Sequence, residues 1–157
     1  MSERVFIDTN VFVYADGPKP GPKRDRARAV LAPLIRSRRA VVSTQILQEY
    51  FNIATKRLGL TAERARWRVE GMTRLEVVVI RPELVLTAID LHRLHSFSLW
   101  DALVIACASA GNCARLFSED MQHGQTIAGV RIENPFLPAT RASEPRSRYI
   151  ARSRARI

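Results

Sequence analysis

Short β-branched runs alternate along this chain with longer stretches of helical periodicity, and that alternation leaves few folds open. Each short run suffices for one strand and each longer stretch for one or two helices. Strands joined through helices lie largely parallel, which predicts an α/β domain around a mainly parallel sheet. Arg4-Val5-Phe6-Ile7-Asp8 reads as the first strand and ends on an acid. Further strands are predicted at 40–43, 76–80, 114–118 and 129–132. The pattern between them predicts a short helix at 11–15 and a longer one at 23–38 that Pro33 has to bend or end. Thr44 is the expected cap of a helix reaching about residue 58, with Gly59 just past its end. Thr61 caps the next, Pro82 begins another, and Ser98 opens one that stops near Gly111.

The 157 residues suit one domain, here assigned to 1–137. Residues 138–157 hold six Arg against one Glu and little apolar content, so they are expected to form a basic, disordered tail. No apolar run approaches the roughly 20 residues that span a bilayer. The N-terminus lacks the basic and apolar regions of a secretory signal. Cys107 and Cys113 form no CxxC pattern. Together these features suggest a reduced, cytoplasmic protein with neither a disulfide framework nor a structural zinc. Twenty-five basic and 15 acidic residues leave a net charge of +10. That charge suits a polyanionic partner such as nucleic acid, yet Arg content set by genome composition and solubility gives the same number, so charge alone does not decide.

The position of four acids is more informative. Asp8 ends the first strand, Glu49 lies in the helix after the second, Asp101 is in the first turn of a helix, and Asp120 follows the fourth strand. Open α/β sheets gather functional groups beyond the carboxyl ends of their strands. Four carboxylates brought to that edge repel one another unless a cation neutralises them. All-oxygen donors select hard ions such as Mg²⁺ or Mn²⁺, which activate water and stabilise a phosphodiester under in-line attack. Each acid also has an ordinary explanation. Asp101 completes the capping box Ser98-x-x-Asp101, Glu49 suits a solvated helix face, and Asp120 suits a turn. Asp8, directly after Val5-Phe6-Ile7, is the hardest to explain away.

These residues carry a family resemblance. Phe6-Ile7-Asp8-Thr9-Asn10, the Thr44–Phe51 block around Glu49, Leu99-Trp100-Asp101-Ala102 and Phe117-Ser118-Glu119-Asp120 resemble, in order, the acidic blocks of PIN-domain ribonucleases. Asn134-Pro135-Phe136 is similar to the end of the domain in VapC-type toxins. The resemblance covers about residues 4–137. It implies a three-layer α/β/α fold, a Mg²⁺- or Mn²⁺-dependent endoribonuclease, an RNA substrate and a cognate antitoxin; many relatives are homodimers. It places the catalytic metal site on Asp8, Glu49, Asp101 and Asp120, with Asp8 and Asp101 as direct ligands.

Other residues invite weaker readings. Thr9, Asn10 and Ser118 are expected to serve as local turn and cap groups, and Trp100 to pack at a helix start rather than stack on a base. His92 and His95 read as a surface pair and His123 as a loop residue. Arg24, Arg26 and Arg28 read as a solvated face. Two other functions fit the same fold. A nucleic-acid-binding module without catalysis would tolerate loss of the acids, and a phosphorylated switch would modify Asp8. The switch needs a neighbouring acid or a Lys aimed at the phosphate, and Thr9 and Asn10 follow Asp8 instead.

Overall fold

The computed structural model describes residues 2–138, so the tail expected beyond Pro138 lies outside the described residues. The chain runs β1 (Arg4–Ile7), α1 (Thr9–Asp16), α2 (Pro22–Arg36), β2 (Ala40–Ser43), α3 (Thr44–Lys56) and α4 (Ala62–Met72). It continues through β3 (Glu76–Val78), α5 (Pro82–Leu94), α6 (Leu99–Ala110), β4 (Cys113–Phe117), β5 (Thr126–Ile127) and β6 (Val130–Glu133). The six strands form one sheet in the order β3-β2-β1-β4-β6-β5. All neighbours are parallel except β5 and β6.

This order positions the site. From β1 the chain moves outward to β2 and β3, then returns past β1 to place β4 on its other side. The strand order therefore reverses between β1 and β4, where open α/β sheets form a crevice at the carboxyl ends of the strands. Register ties the two strands along their length, with Phe6 opposite Leu116 and Ile7 opposite Phe117. The pairing carries on into the loop, where the Asp8 amide donates to the Phe117 carbonyl at 2.9 Å.

Helices cover both faces, giving the expected three layers. Residues 102–108 of α6 are buried throughout, and α6 packs on β2, β4 and β6 with α5 lying against it. Such an unbroken apolar run suits a helix with a sheet on one side and another helix on the other. α1 to α4 pack among themselves, and α2 and α3 rest on β2. Val5, Phe6, Ile7, Val41, Val42 and Leu116 are fully buried between the layers. No helix among the described residues is long and apolar enough to cross a membrane. Cys107 and Cys113 are buried free thiols whose acidities burial pushes to about 11 and about 12, so neither is a reactive thiolate.

Several boundaries differ from the sequence reading. Asp8 itself caps α1, which therefore starts two residues earlier than expected and runs to Asp16. Pro33 does not interrupt α2: Pro33 and Ala29, whose carbonyl loses its helical donor, are both exposed to water. Ser43, not Thr44, is the cap residue of α3 by its extended backbone, without a side-chain cap bond, and the Thr44 hydroxyl instead accepts a 3.3 Å bond from the Ile80 amide. β3 stops at Val78, short of residue 80. The sheet also has a strand the sequence reading lacked, β5, held to β6 by a two-residue turn. Ala128 and Gly129 in that turn both adopt positive φ, as a hairpin of primed type requires.

Candidate active site

Asp8, Glu49, Asp101 and Asp120 all line one cavity of about 410 Å³ at the carboxyl edge of the sheet. Asp8 is buried at the end of β1. One of its carboxylate oxygens accepts from the Thr9 amide at 2.8 Å, and the other from the Ser118 hydroxyl at 2.7 Å. Ser118 follows β4, so this contact clasps the two central strands at their ends. Burial nevertheless raises the Asp8 carboxyl from 3.8 to about 6, despite the lowering effect of both hydrogen bonds, and the charges of Glu49 and Asp120 push the same way.

The other acids are braced by neutral donors. Glu49 projects from α3, where one oxygen accepts from the Thr9 hydroxyl at 2.7 Å and the other from the Gln45 amide at 2.9 Å. Gln45 lies four residues before Glu49, hence on the same helical face, and also donates to the Trp100 carbonyl at 3.3 Å. Asn10 donates to Asp120 at 3.0 Å. Asp101 stands in the first turn of α6, where its amide donates to the capping Ser98 hydroxyl at 3.1 Å while its side chain lines the cavity. Partial burial raises the Asp101 carboxyl too, against a lowering bond from Ser98 and reinforced by Asp120 and Glu49.

Among the described residues, none of these four acids is ion-paired with Lys, Arg or His. Neighbouring acids are: Glu119 takes Lys23, and Asp16 takes Arg68. No three His, Cys, Asp or Glu side chains among the described residues are drawn tightly enough to form a ready-made metal cage. The donor set still suits a hard cation, since Mg²⁺ keeps several waters and binds through one or two carboxylates. Among the described residues, the buried amide oxygens of Asn10 and Gln45 have no hydrogen-bond partner, and both residues line the cavity. Such acceptors call for a water or a cation beside them.

The secondary candidates sort out clearly. Thr9, Asn10 and Ser118 all hold acids of the cavity in place. Trp100, expected to pack, is instead 65% exposed on the rim, because its neighbours on α6 face the sheet and it faces outward. Arg24, Arg26 and Arg28 do more than form a solvated face: they donate to the carbonyls of Gly17, Pro135 and Ala15. His123 accepts from the Asn134 amide at 3.0 Å, and an Nδ1 of His92 lies 2.6 Å from the Phe97 carbonyl, so both histidines support loops. Gln45 and Arg57 escaped the sequence reading. Only the spacing of four between Gln45 and Glu49 could have pointed to the former.

A family model described as the PIN domain matches residues 5–126. Among curated proteins, none matches the chain significantly by sequence. Solved structures share the fold. The Mycobacterium tuberculosis toxin VapC20, described as cleaving the sarcin-ricin loop, is 19% identical with a TM-score of 0.57, covering 74% of this chain and 91% of its own. The chain is similar to a toxin–antitoxin complex from Klebsiella pneumoniae at 17% identity and a TM-score of 0.63, covering 83% and 97%. It is also similar to VapBC2 of Rickettsia felis, solved bound to a promoter DNA fragment, at 20% identity and 0.62, again covering 83% and 97%.

Proposed function

Because the chain belongs to the PIN-domain family, we propose that it is a divalent-metal-dependent endoribonuclease and the toxin of a VapC-type toxin–antitoxin pair. The observation that carries this reading is the set of four carboxylates in one cavity, none of them ion-paired among the described residues. The similarity to a toxin described as cleaving the sarcin-ricin loop and to toxin–antitoxin complexes supports choosing RNA as the substrate class and an antitoxin as the partner.

Asp8 and Asp101 would hold Mg²⁺ or Mn²⁺, with Glu49 and Asp120 completing the set. When bound, such an ion would neutralise the carboxylates, lower the pKa of a bound water and stabilise charge on the phosphate. The chain's own contribution is positional. Ser118 and the Thr9 amide fix both oxygens of Asp8. Thr9 and Gln45 fix both oxygens of Glu49, which lines the cavity. Asn10 orients Asp120. No Ser or His nucleophile is needed, and water acts as the attacking group. An antitoxin segment carrying a basic residue would silence the site by occupying the same carboxylates. The buried free thiols suit a cytoplasmic protein.

The test is cleavage of a structured RNA with Mg²⁺ or Mn²⁺, in excess EDTA, and by the Asp8→Asn and Asp101→Asn variants. Cutting should need the metal and both acids. Cleavage that survives EDTA or either substitution overturns the assignment, and RNA binding without any cleavage would favour a binding module on this fold.

A further inference from the structure

A second cavity of about 510 Å³ abuts the acidic one and shares Val13, Tyr14 and Arg57 with it. Its floor is apolar, built by Val13, Tyr14 and Leu58, and its far wall is the loop at 17–22, whose Pro18, Pro20 and Pro22 limit its backbone freedom. Its rim is cationic, with Lys19, Arg24 and Arg57. None of these three has a carboxylate partner among the described residues. The Arg57 side chain makes no hydrogen bond there, and the Arg24 Nε is buried without a partner. An anionic cavity and a cationic one therefore lie side by side, joined at Arg57.

We propose that this second cavity is a nucleotide subsite: it takes the base of the residue next to the scissile phosphate in single-stranded RNA, with Lys19, Arg24 and Arg57 on the flanking phosphates. The inference rests on the endoribonuclease reading, which puts the scissile phosphate over the acids. A strand held there must leave the acidic cavity, and the adjoining exit is one where cations replace acids. The floor is apolar, as the face of a base requires, while the rim carries positive charge, as its phosphates require. The volume lies in the range of pockets that enclose small ligands. A peptide segment would also suit an apolar floor, but an uncompensated cationic rim continuous with the path of a phosphodiester favours the nucleic acid.

The test is equilibrium binding, in EDTA, of a fluorescent single-stranded RNA hexamer to the full chain and to Arg57→Ala, Lys19→Ala and Leu58→Asp variants. Arg93→Ala, on the exposed face of α5, serves as the control. Both Arg57 and Lys19 lie on the surface, so their replacement should leave folding intact. Arg57→Ala and Lys19→Ala should each weaken binding several-fold and flatten the slope of log affinity against log salt by about 0.7, as expected for loss of one phosphate contact on a single strand. Leu58→Asp should weaken binding about tenfold and bind a hexamer abasic at the flanking position no worse than the intact one. Affinity and salt slope unchanged in all three variants would overturn the subsite and leave the cavity to another occupant such as a protein segment. Subsite-dependent binding without metal-stimulated cleavage would instead retain the subsite and remove the nuclease reading.

Discussion

Asp8 is expected to destabilise the metal-free domain at neutral pH, and Asp8→Asn should relieve that. Burial raises its carboxyl from 3.8 to about 6, so the folded protein binds a proton here more tightly than the unfolded chain does. Between about pH 4 and 6 the native state thus carries more protons, and stability falls as pH rises. Above pH 6 the whole penalty is present, and at about 1.4 kcal/mol per tenfold in proton affinity it amounts to roughly 3 kcal/mol. Asparagine is an equally good helix cap and can still accept from the Thr9 amide, so the substitution removes the charge while keeping the local geometry. Urea denaturation in EDTA across pH 4–8 measures this directly. The variant should match the wild type near pH 4 and exceed it by up to about 3 kcal/mol at pH 7.5. Some residual pH dependence should survive in the variant, because Asp101 is raised in the same direction. A variant no more stable than wild type at pH 7.5, or a gap that does not vary with pH, would refute the argument that Asp8 is held charged against its surroundings.

Millimolar Mn²⁺ or Mg²⁺ should raise the melting temperature of the wild type, by the equivalent of about 2.7 kcal/mol at a hundred times the dissociation constant. The Asp8→Asn/Asp101→Asn double variant should show no such rise in differential scanning fluorimetry. Gln45→Ala frees Glu49 on one side and the Trp100 carbonyl on the other, and should lower metal-dependent turnover about 10- to 100-fold while the protein stays folded by circular dichroism. Gly111→Ala would bring a Cβ to 3.1 Å from Val78 Cγ2 and 3.2 Å from Val41 Cγ1, where α6 meets the sheet. A loss of about 1–3 kcal/mol is expected in urea denaturation.

The sheet was legible because each central strand is a short apolar run bounded by turn residues, and the start of α6 because Ser98 three residues before Asp101 is a strong cap signal, whereas the cap at Asp8 was masked by its place directly after β1. The strand β5 was not, since two residues give no periodicity and its existence depends on the positive-φ turn at Ala128 and Gly129. The placement of Asp120 depends on β4 lying beside β1, a pairing across about 110 residues that no spacing encodes. The ordered family blocks pointed to that gathering, and side-chain geometry alone shows how it is braced. Arg26 looks like a solvated residue from its helical neighbours, yet its partner, the Pro135 carbonyl, comes from the other end of the domain. Trp100 illustrates the converse: an aromatic at a helix start usually packs, and only the orientation of α6 turns this one outward.

The pairing of acids elsewhere in the same domain gives the clearest guide to what the cavity is for. Asp16 carries structure in the usual way, accepting from the Tyr50 hydroxyl at 2.6 Å and pairing with Arg68. Glu119, one residue from Asp120, pairs with Lys23. Had the fold required Asp8, Glu49, Asp101 and Asp120 only as structural acids, cations were at hand, since the chain carries ten more basic than acidic residues. Instead hydroxyls, amides and backbone N–H groups brace three of them, and a serine cap fixes the turn that carries Asp101. Neutral donors fix the position of a carboxylate without cancelling its charge, so the repulsion from Glu49 and Asp120 persists in the folded state and adds to the burial that chiefly raises the Asp8 carboxyl. A cluster that is rigidly placed yet electrostatically uncompensated is complementary to a cation that arrives from solution. That complementarity, more than the bulk positive charge, favours the proposed metal-using site over a basic surface that merely binds nucleic acid.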